Sequence, residues 1–429
     1  MKRGAVAVKF RVPRGTADFL PGDVAKWKYL EDKARDLCRR YHFLEVRTPI
    51  FEYTELFQRG VGETTDIVEK EMYTFTDRAG RSLTLRPEGT APVVRAFVEN
   101  KVYAQPQPTK WFYIGPMFRY ERPQTGRMRQ FNQFGVEVFG ARDPGLDAEI
   151  IALGRDYFEE IGLSGVTAEI NSVGCPACRP VHRERLVAYL TPLREKLCKD
   201  CQSRLDRNPL RVLDCKNERC REITAQAPKI TDFLCGDCGP HFDAVKDTLD
   251  LLKVPYRVNP WLVRGLDYYT QTAFEYVLEG RGAQAGTLGG GGRYNGLVEE
   301  IGGGDVPGFG FALGLDRILV ALEENGVQLP AHRRLDCYVV SLGEAAKRRA
   351  VTLLAELRRA GCSADRDVLD RKMKGQMKAA DREQARYVVI LGEEELGRDT
   401  AVVKEMATGR QEEVRLDRLV EYIRAGSKR

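Results

Sequence analysis

Arg264 is the residue whose surroundings in this sequence most directly suggest chemistry. It stands in "WLVRGLDYYTQTAFEYVLEG" (261–280), between an apolar start and an aromatic, strand-like end. A charged side chain is costly to bury unless it is paired. Two interpretations follow: Arg264 pairs with the nearby Asp267, or it binds an anion that is not part of the chain.

A second arginine, Arg317, stands in the first turn of a helix predicted over 315–324. A cation there opposes the helix dipole by roughly 0.3–1 kcal/mol, and a bound anion reverses that sign because helix N-termini and arginine both favour phosphate. The alternative is a salt bridge to Asp316 or Asp305. Glycine clusters at 286–296 and 302–314 indicate either tight turns with close strand packing or a ligand lying against the backbone.

The segment "RQFNQFGVEVFG" (129–140) alternates as a strand does. One face carries Phe131, Gln133, Gly135 and Glu137, and the other carries Phe134, Val136 and Val138. The preceding strand and the connecting loop add further charged groups, namely Arg119, Glu121, Arg122, Arg127 and Arg129. A solvated outer face is the simpler interpretation of the alternation alone. A face with acid, amide, base and aromatic groups matches a site for a small zwitterion and a nucleotide better.

Cysteine spacing is the strongest signal that depends on spacing alone. Eight of the 11 cysteines fall within 64 positions, as Cys175-x-x-Cys178, Cys198-x-x-Cys201, Cys215-x4-Cys220 and Cys235-x-x-Cys238. Both thiolates of a C-x-x-C pair can reach one tetrahedral zinc ion from a tight turn. We therefore expect structural zinc, and eight thiolates could hold two ions. The alternative is a set of reduced, partly buried cysteines.

Several common catalytic patterns are missing from the sequence. It has neither G-x-x-x-x-G-K-[ST] nor a G-x-G-x-x-G after a strand, so the P-loop and the Rossmann fingerprint do not apply. Its four histidines stand in no Ser/His/Asp or Cys/His context, which argues against general-base catalysis by histidine.

Composition is that of an ordinary globular protein, with 68 Lys+Arg against 62 Asp+Glu and a net charge of +6. Most of the surplus lies in residues 333–429, which hold 22 basic and 17 acidic residues. This permits a nucleic-acid partner without establishing one. The N-terminus lacks the apolar core of a signal peptide, and no apolar run reaches the roughly 18 residues of a membrane span, so we expect a cytoplasmic protein.

The periodicity predicts an α+β fold in two domains. Up to about residue 140, antiparallel strands alternate with helices, including a helix over 23–41 capped by Asp23 and one over 90–104 capped by Thr90. We expect a catalytic domain over 1–325 that contains a mainly helical, cysteine-rich insertion at 172–258. A linker at 323–335 then leads to a small α/β domain at 333–429, with strands at 336–341, 386–392 and 400–406 and helices at 345–360 and 417–424.

Long motifs in a fixed order resemble those of the histidyl-tRNA synthetase family, which belongs to the class II aminoacyl-tRNA synthetases. The likeness begins at "RGTADFLP" (14–21) and "EVRTPIFE", and continues through "TLRPEGTAPVVR" (84–95) and "MFRYERPQTGRMRQFNQFGVEVFG" (117–140). "LVRGLDYYTQTAFEY", "GGGGRYNGLV" (289–298) and "GFGFALGLDRILVAL" complete the catalytic part, and the last domain resembles the family's anticodon-binding domain. The resemblance implies ATP-dependent ligation of L-histidine to tRNA(His) through a histidyl-adenylate.

The resemblance also implies roles for individual residues. Glu88, Thr90 and Gln133 would bind the α-amino group of histidine, Glu137 and Tyr269 the two imidazole nitrogens, and Tyr268 would line the pocket. Arg119 would hold the α-phosphate, Glu121 the adenine edge, and Phe131 would stack on the adenine ring. Arg127 and Arg317 would meet the γ-phosphate, and Arg264 the α-phosphate with the attacking carboxylate. Gln124 and Arg129 would face the tRNA acceptor end. ATP with Mg, L-histidine, tRNA(His) and a second copy of the chain, forming a homodimer, are the implied partners.

Two other interpretations are weaker. A non-catalytic paralogue that senses histidine would resemble this core, but it tends to lack the arginine-bearing motifs and the C-terminal domain, which are present here. A redox or zinc-binding interaction module would use only residues 175–238 and would leave the rest of the chain unexplained. We therefore favour the enzyme.

Overall fold

The structure, a computed structural model, describes residues 10–62, 65–280, 286–330 and 335–427. The chain divides into two compact units, residues 1–329 and 330–429. Part of the predicted linker, residues 331–334, lies outside the described residues. Among the described residues, no helix is both long and apolar enough to cross a membrane.

The first unit is built on an antiparallel-rich sheet of eight strands. The unit's strands are β1 (Leu44–Glu45), β2 (Phe51–Tyr53), β3 (Tyr73–Thr76), β4 (Ser82–Leu85), β5 (Thr109–Phe118), β6 (Gln130–Phe139), β7 (Val166–Ser172), β8 (Tyr256–Val258), β9 (Thr270–Leu278), β10 (Thr287–Arg293) and β11 (Gly308–Gly314). The large sheet has the order β1-β5-β6-β11-β10-β9-β7-β8, and β2-β4-β3 form a small separate sheet. Only the outermost pairs of the large sheet, β1 with β5 and β7 with β8, run parallel. This agrees with the predicted α+β class.

Helices pack on this sheet and flank it. They span Pro21–Arg40, Thr54–Val61, Thr90–Glu99, Pro144–Glu160, Arg179–Leu190, Lys199–Arg207, Glu218–Thr224, Cys238–Leu251, Leu297–Glu300 and Leu315–Glu324. The first helix begins at Pro21, whose fixed φ suits a first helical position, and Asp23 lies in its first turn. The predicted cap at Asp23 is therefore wrong, because the helix starts two residues earlier.

The two faces of strand β6 have different surroundings: one faces the apolar core and the other faces a cleft. Phe134, Val136 and Val138 are buried in the main core, together with residues of the helices Pro21–Arg40 and Pro144–Glu160. Phe131 and Gln133 point to the other side and line a cleft. The two faces predicted from the alternation are therefore present in the structure.

The second unit holds a five-stranded mixed sheet, ordered β13-β12-β14-β15-β16. Its strands are β12 (Cys337–Ser341), β13 (Ala364–Arg366), β14 (Tyr387–Leu391), β15 (Thr400–Glu405) and β16 (Gln411–Arg415). Its helices are Glu344–Arg359, Met373–Arg382, Glu393–Gly397 and Leu419–Ser427. The sequence analysis missed β13, β16 and the helix Met373–Arg382. The two strands are short edge strands rich in charge, and the helix buries only Gln376, Ala379 and Ala380, so none has a strong apolar period.

Candidate active site

A cleft of about 1400 Å³ opens in the first unit. It is bordered by the large sheet, the segment 261–269 and residues 213–225 of the insertion. The cleft brings together twelve of the candidate site residues selected from the sequence: Glu88, Thr90, Arg119, Glu121, Arg127, Phe131, Gln133, Cys215, Arg264, Tyr268, Tyr269 and Arg317. Three other selected residues, Gln124, Arg129 and Glu137, are not among the side chains that line it.

Glu88 is tied to the start of the helix Thr90–Glu99. Its two carboxylate oxygens accept hydrogen bonds from the backbone amides of Thr90 (2.8 Å) and Ala91 (2.7 Å). The predicted helix cap at Thr90 is therefore wrong, because Glu88 satisfies these first-turn N–H groups. The Thr90 hydroxyl instead donates to Glu137 (2.7 Å). Glu88 also accepts from the Tyr268 hydroxyl at 3.4 Å, so it links the start of the helix to Tyr268 on the cleft wall.

Glu137 lies behind the cleft wall and is fully buried. Its second oxygen accepts from the Tyr294 hydroxyl at 2.5 Å. A Cβ at Gly310 on the neighbouring strand would collide with this oxygen, so glycine leaves the room that the carboxylate occupies. Burial raises the pKa of Glu137 to about 8, against the lowering effect of hydrogen bonds from Tyr294 and Thr90.

This buried acid should make stability depend on pH. Between its ordinary pKa of 4.5 and about 8, native Glu137 holds a proton that the unfolded chain has lost. The free energy of unfolding of the first unit should therefore fall as pH rises through this window, with a contribution of up to ~1.4 kcal/mol per pH unit. We expect Glu137→Gln to flatten the dependence, measured as thermal unfolding at several pH values. Parallel curves for the two proteins would contradict the assignment.

Arg264 is six residues past the end of β8 and forms an ion pair with Glu275 of β9. The predicted alternative, pairing with Asp267, is wrong, since Asp267 accepts from the Asn208 amide at 3.2 Å instead. Glu275 also accepts from the Thr287 hydroxyl at 3.3 Å. The Arg264 guanidinium lies 5.7 Å from the Tyr269 ring, and its Nε is buried with no partner among the described residues. Burial alone would lower the pKa of Arg264, but the negative charge of Glu275 outweighs this effect and raises it.

The glycine cluster at 286–296 lies largely in strand β10. Gly289, Gly290, Gly291 and Gly292 lie between β9 and β11, with no room for a Cβ next to the neighbouring backbones. A Cβ at Gly290 would also lie 2.9 Å from the Arg264 guanidinium. Gly289 and Gly290 line the cleft as well, so close strand packing and an open surface beside Arg264 both require glycine here.

The other end of the cleft is rich in arginine. Arg119 donates from Nε to the Pro87 carbonyl at 2.8 Å and lies 5.5 Å from the Phe131 ring centre. Arg127 pairs with Glu121 at 3.3 Å. Burial and the nearby Arg127 charge lower the pKa of Arg317 to about 10. Such mutual repulsion favours the binding of an anion between these side chains.

Arg317 does not form the salt bridges that the sequence offered as alternatives. Asp316 accepts from the Asn132 amide at 2.6 Å, and Asp305 pairs with Arg142 at 2.8 Å. Arg317 donates to the Thr287 carbonyl at 2.8 Å, and within the described ranges no carboxylate lies within ion-pair distance of it. Its charge is therefore available to a ligand in the cleft.

Gln124 and Arg129 lie in the loop between β5 and β6. Gln124 and Arg127 exchange backbone hydrogen bonds of 3.1 and 2.8 Å, which closes a tight turn at Gly126. The Arg129 guanidinium stacks on the Tyr120 ring at 3.8 Å. Both residues are outside the cleft lining, on the loop that borders it.

Comparison with known proteins gives a family. A model described as "Histidyl-tRNA synthetase" matches residues 15–176 and 218–318, and one described as "Anticodon binding domain" matches residues 336–426. A protein named histidine–tRNA ligase from Desulforamulus reducens is 58% identical over 413 residues, which cover 96% of this chain and 98% of that protein. The chain belongs to the histidyl-tRNA synthetase family.

Further similarity covers nearly the whole chain. The histidine–tRNA ligase of Geobacillus thermodenitrificans is 56% identical over 422 residues, which cover 98% of this chain and 99% of that protein. The crystal structure of apo S. aureus histidyl-tRNA synthetase superposes with a TM-score of 0.83 at 46% identity, covering 97% of this chain and all of that one. The family resemblance and the fold predicted from the sequence are therefore confirmed.

Sequence analysis missed two residues that support the histidyl-tRNA synthetase site. Glu275 holds Arg264, and Tyr294 holds Glu137. Both stand inside motifs quoted above, "LVRGLDYYTQTAFEY" and "GGGGRYNGLV", so the motifs contained the signal. What the sequence could not give is the strand register that brings each residue to its partner.

The eight selected cysteines form two groups in this histidyl-tRNA synthetase family member. Cys175, Cys178, Cys235 and Cys238 make one group, and Cys198, Cys201, Cys215 and Cys220 make the other. Within each group the ligand atoms all lie within 4.8 Å of one another, so each group could hold one metal ion.

Proposed function

We propose that this chain ligates L-histidine to tRNA(His) in two steps, using ATP as the magnesium complex. Members of the histidyl-tRNA synthetase family charge this tRNA in protein synthesis. The observation that carries the assignment of residues is a single cleft in which Arg119, Arg264 and Arg317 stand beside a pocket of carboxylate and tyrosine groups. That combination suits a reaction between two anions.

In the first step, the carboxylate of histidine attacks the α-phosphorus of ATP. A carboxylate–phosphate bond forms, the bond to the bridging oxygen breaks, and pyrophosphate leaves with its electron pair. The nucleophile is already ionised, so no general base is needed. We assign alignment and charge stabilisation to Arg264 and Arg119, because a guanidinium is planar, bidentate and always charged. Arg127 and Arg317 would hold the γ-phosphate, and Glu121 and Phe131 the adenine.

We assign recognition of the amino acid to the wall formed by Glu88, Thr90, Gln133, Tyr268 and Tyr269. Glu137 lies directly behind Thr90 and would reach the imidazole if Thr90 or Tyr294 released one of its oxygens. An amino acid that cannot hydrogen-bond these buried groups would leave them unpaired, which penalises its binding. This supports selection of histidine by polar groups rather than by size alone.

In the second step, a terminal ribose hydroxyl of tRNA attacks the carbonyl carbon of the adenylate and AMP leaves. We place Gln124 and Arg129 beside the acceptor end, since their loop borders the cleft. The segment 336–426, which matches the anticodon-binding model, would hold the other end of the tRNA. We also propose that catalysis uses residues 1–325 and anticodon binding residues 333–429, and that the reaction takes place in the cytoplasm.

We further propose that the chain forms a homodimer. Apolar side chains in and beside the segment "EVRTPIFE" (45–52) and on β3 are strongly exposed, namely Leu44, Ile50, Phe51, Tyr53 and Phe75. An exposed apolar patch of this kind is typical of a protein interface. Sedimentation as a monomer at working concentrations would reject the dimer.

The decisive experiment is histidine-dependent exchange of pyrophosphate into ATP by the purified protein. We expect exchange with L-histidine and magnesium, no exchange with histidinol, which lacks the carboxylate, and inhibition of the L-histidine reaction by histidinol. Charging of tRNA(His) should follow under the same conditions. No exchange by a folded protein would reject the proposed function.

A further inference from the structure

We propose that the insertion binds two zinc ions in two nested four-cysteine sites, and that these ions fix the two ends of the active-site segment 264–269. We name the outer site (Cys175, Cys178, Cys235 and Cys238) and the inner site (Cys198, Cys201, Cys215 and Cys220). The family model leaves residues 177–217 unmatched, and these include one outer and three inner ligands. The second half of the proposal rests on the proposed function.

The sulfur positions fit tetrahedral zinc. Zn–S bonds of about 2.3 Å in a tetrahedron place the sulfur atoms about 3.8 Å apart. In the outer site, Cys175 Sγ lies 3.7 Å from Cys178 Sγ and 3.8 Å from Cys235 Sγ. In the inner site, Cys198 Sγ lies 3.8 Å from Cys215 Sγ. Disulfide sulfurs would lie about 2.0 Å apart, and a multi-iron cluster would need wider spacing, so one ion per site fits best.

Backbone amides also point at these sulfurs. The amide of Cys235 donates to Cys178 Sγ at 3.1 Å, and the amide of Cys198 donates to Cys220 Sγ at 3.2 Å. Such donors stabilise the thiolate form that a metal requires. In each site, a backbone amide of one cysteine pair therefore donates to a sulfur of the other pair. These hydrogen bonds hold the two pairs of each site together.

The buried apolar clusters around the two cysteine sites are small and include the ligands themselves. Around the outer site, the buried cluster consists of Ile230 and two ligands, Cys178 and Cys238. Around the inner site, three of the ten buried residues are ligands. Small cores of this kind usually need a metal or a cross-link to fold.

The inner site is connected to the first end of the segment 264–269. Arg211, four residues before Cys215, donates to the backbone carbonyl of Arg264 at 3.0 Å. Asn208 donates to Asp267 at 3.2 Å, and Arg211 is itself 8% exposed. An ion that fixes Cys201 and Cys215 therefore fixes the loop between them, and with it the backbone that carries the Arg264 guanidinium.

The outer site is connected to the other end. Arg179 follows Cys178 directly and donates to the backbone carbonyl of Tyr269 and, at 3.2 Å, to that of Val173. Gly174, at φ 65°, allows the turn that brings Cys175 and Cys178 under this strand end. The two sites thus hold Arg264 and Tyr269 from opposite ends of one short segment.

The test begins with metal content of the purified full-length protein. We expect two zinc ions per chain by elemental analysis, and, after exchange with cobalt, the intense visible bands of a tetrahedral tetrathiolate. Cys215→Ser and Cys235→Ser should each retain one ion. The control is Cys362→Ser, a buried cysteine outside both sites, which should retain two. Absence of metal, or iron in its place, in a protein that exchanges pyrophosphate would overturn the zinc sites while leaving the proposed function intact.

The connection to the active site is tested with Arg211→Ala and Arg179→Ala, which keep all eight cysteines. Both should retain two zinc ions and lose about 10- to 100-fold in exchange kcat, because small displacements of a reacting group have effects of this size. The KM for ATP should change little. Arg211→Lys should recover part of the loss. Zinc-loaded variants with unchanged kcat would overturn the positioning role, and so would a Cys215→Ser protein that has lost its inner ion but exchanges normally.

Discussion

Replacing Arg264 with alanine is expected to slow ATP–pyrophosphate exchange by about 10²- to 10³-fold, the usual effect of removing one donor that stabilises transition-state charge. The side chain is fixed by Glu275, packs against the Tyr269 ring and lines the cleft. Its contribution should be largest when the carboxylate and the α-phosphate approach one another, so the KM for histidine should change less than kcat.

Two further variants separate charge from geometry at Arg264. Arg264→Lys keeps the charge but loses the planar, bidentate donor, so most of the loss should remain. Glu275→Gln keeps Arg264 and weakens its anchor, so we expect a smaller loss of kcat. Arg142→Ala, at an exposed arginine paired with Asp305, is the matched control and should exchange normally. A weakened histidine KM with unchanged kcat in Arg264→Ala would contradict the charge-stabilising role.

Replacing Arg119 with alanine should also slow adenylate formation by about 10²-fold or more. Unlike Arg264, Arg119 stands over the Phe131 ring and donates to the Pro87 carbonyl, so its loss should also disturb the nucleotide end of the cleft. The expected result is a lower single-turnover rate together with a higher KM for ATP. Rapid-quench measurement of adenylate at saturating histidine would show both effects.

The two arginines should not act independently. If both contact the same α-phosphate, the double variant should lose less than the product of the single losses, as groups that act as a unit do. Arg39→Ala, at an exposed position on the first helix, serves as the surface control. Strictly multiplicative losses would mean that Arg119 and Arg264 act at separate places.

The sequence predicted the chemistry of the cleft better than its internal contacts. Alternation in 129–140 was sufficient to separate the apolar face from the face with Phe131 and Gln133, because a strand has a period of two. It could not assign the partner of Arg264. Asp267 is close in the sequence, but Glu275 reaches the guanidinium because β9 runs back beside the segment 261–269. Such long-range partners depend on register, which periodicity does not encode.

For Thr90 and for the cysteines, residue type and spacing selected the right residues but did not identify their partners. Thr90 has the right residue type for a helix cap, but Glu88 occupies the amides and the Thr90 hydroxyl turns to Glu137. Spacing alone selected the eight cysteines yet left their pairing open, since any two C-x-x-C units can share an ion. Only the folded chain shows that Cys175–Cys178 meets Cys235–Cys238 across 60 residues.

The nesting of the two cysteine sites sets an order of assembly during synthesis. The inner ligands span 23 residues, from Cys198 to Cys220, and all are synthesised before Cys235 and Cys238. The inner loop is also the shorter one to close, and closing it shortens the effective length of the outer loop. The growing chain can therefore fold the inner half of the insertion first, and only afterwards bring the outer pairs, and the segment 264–269 that carries Tyr269, into place.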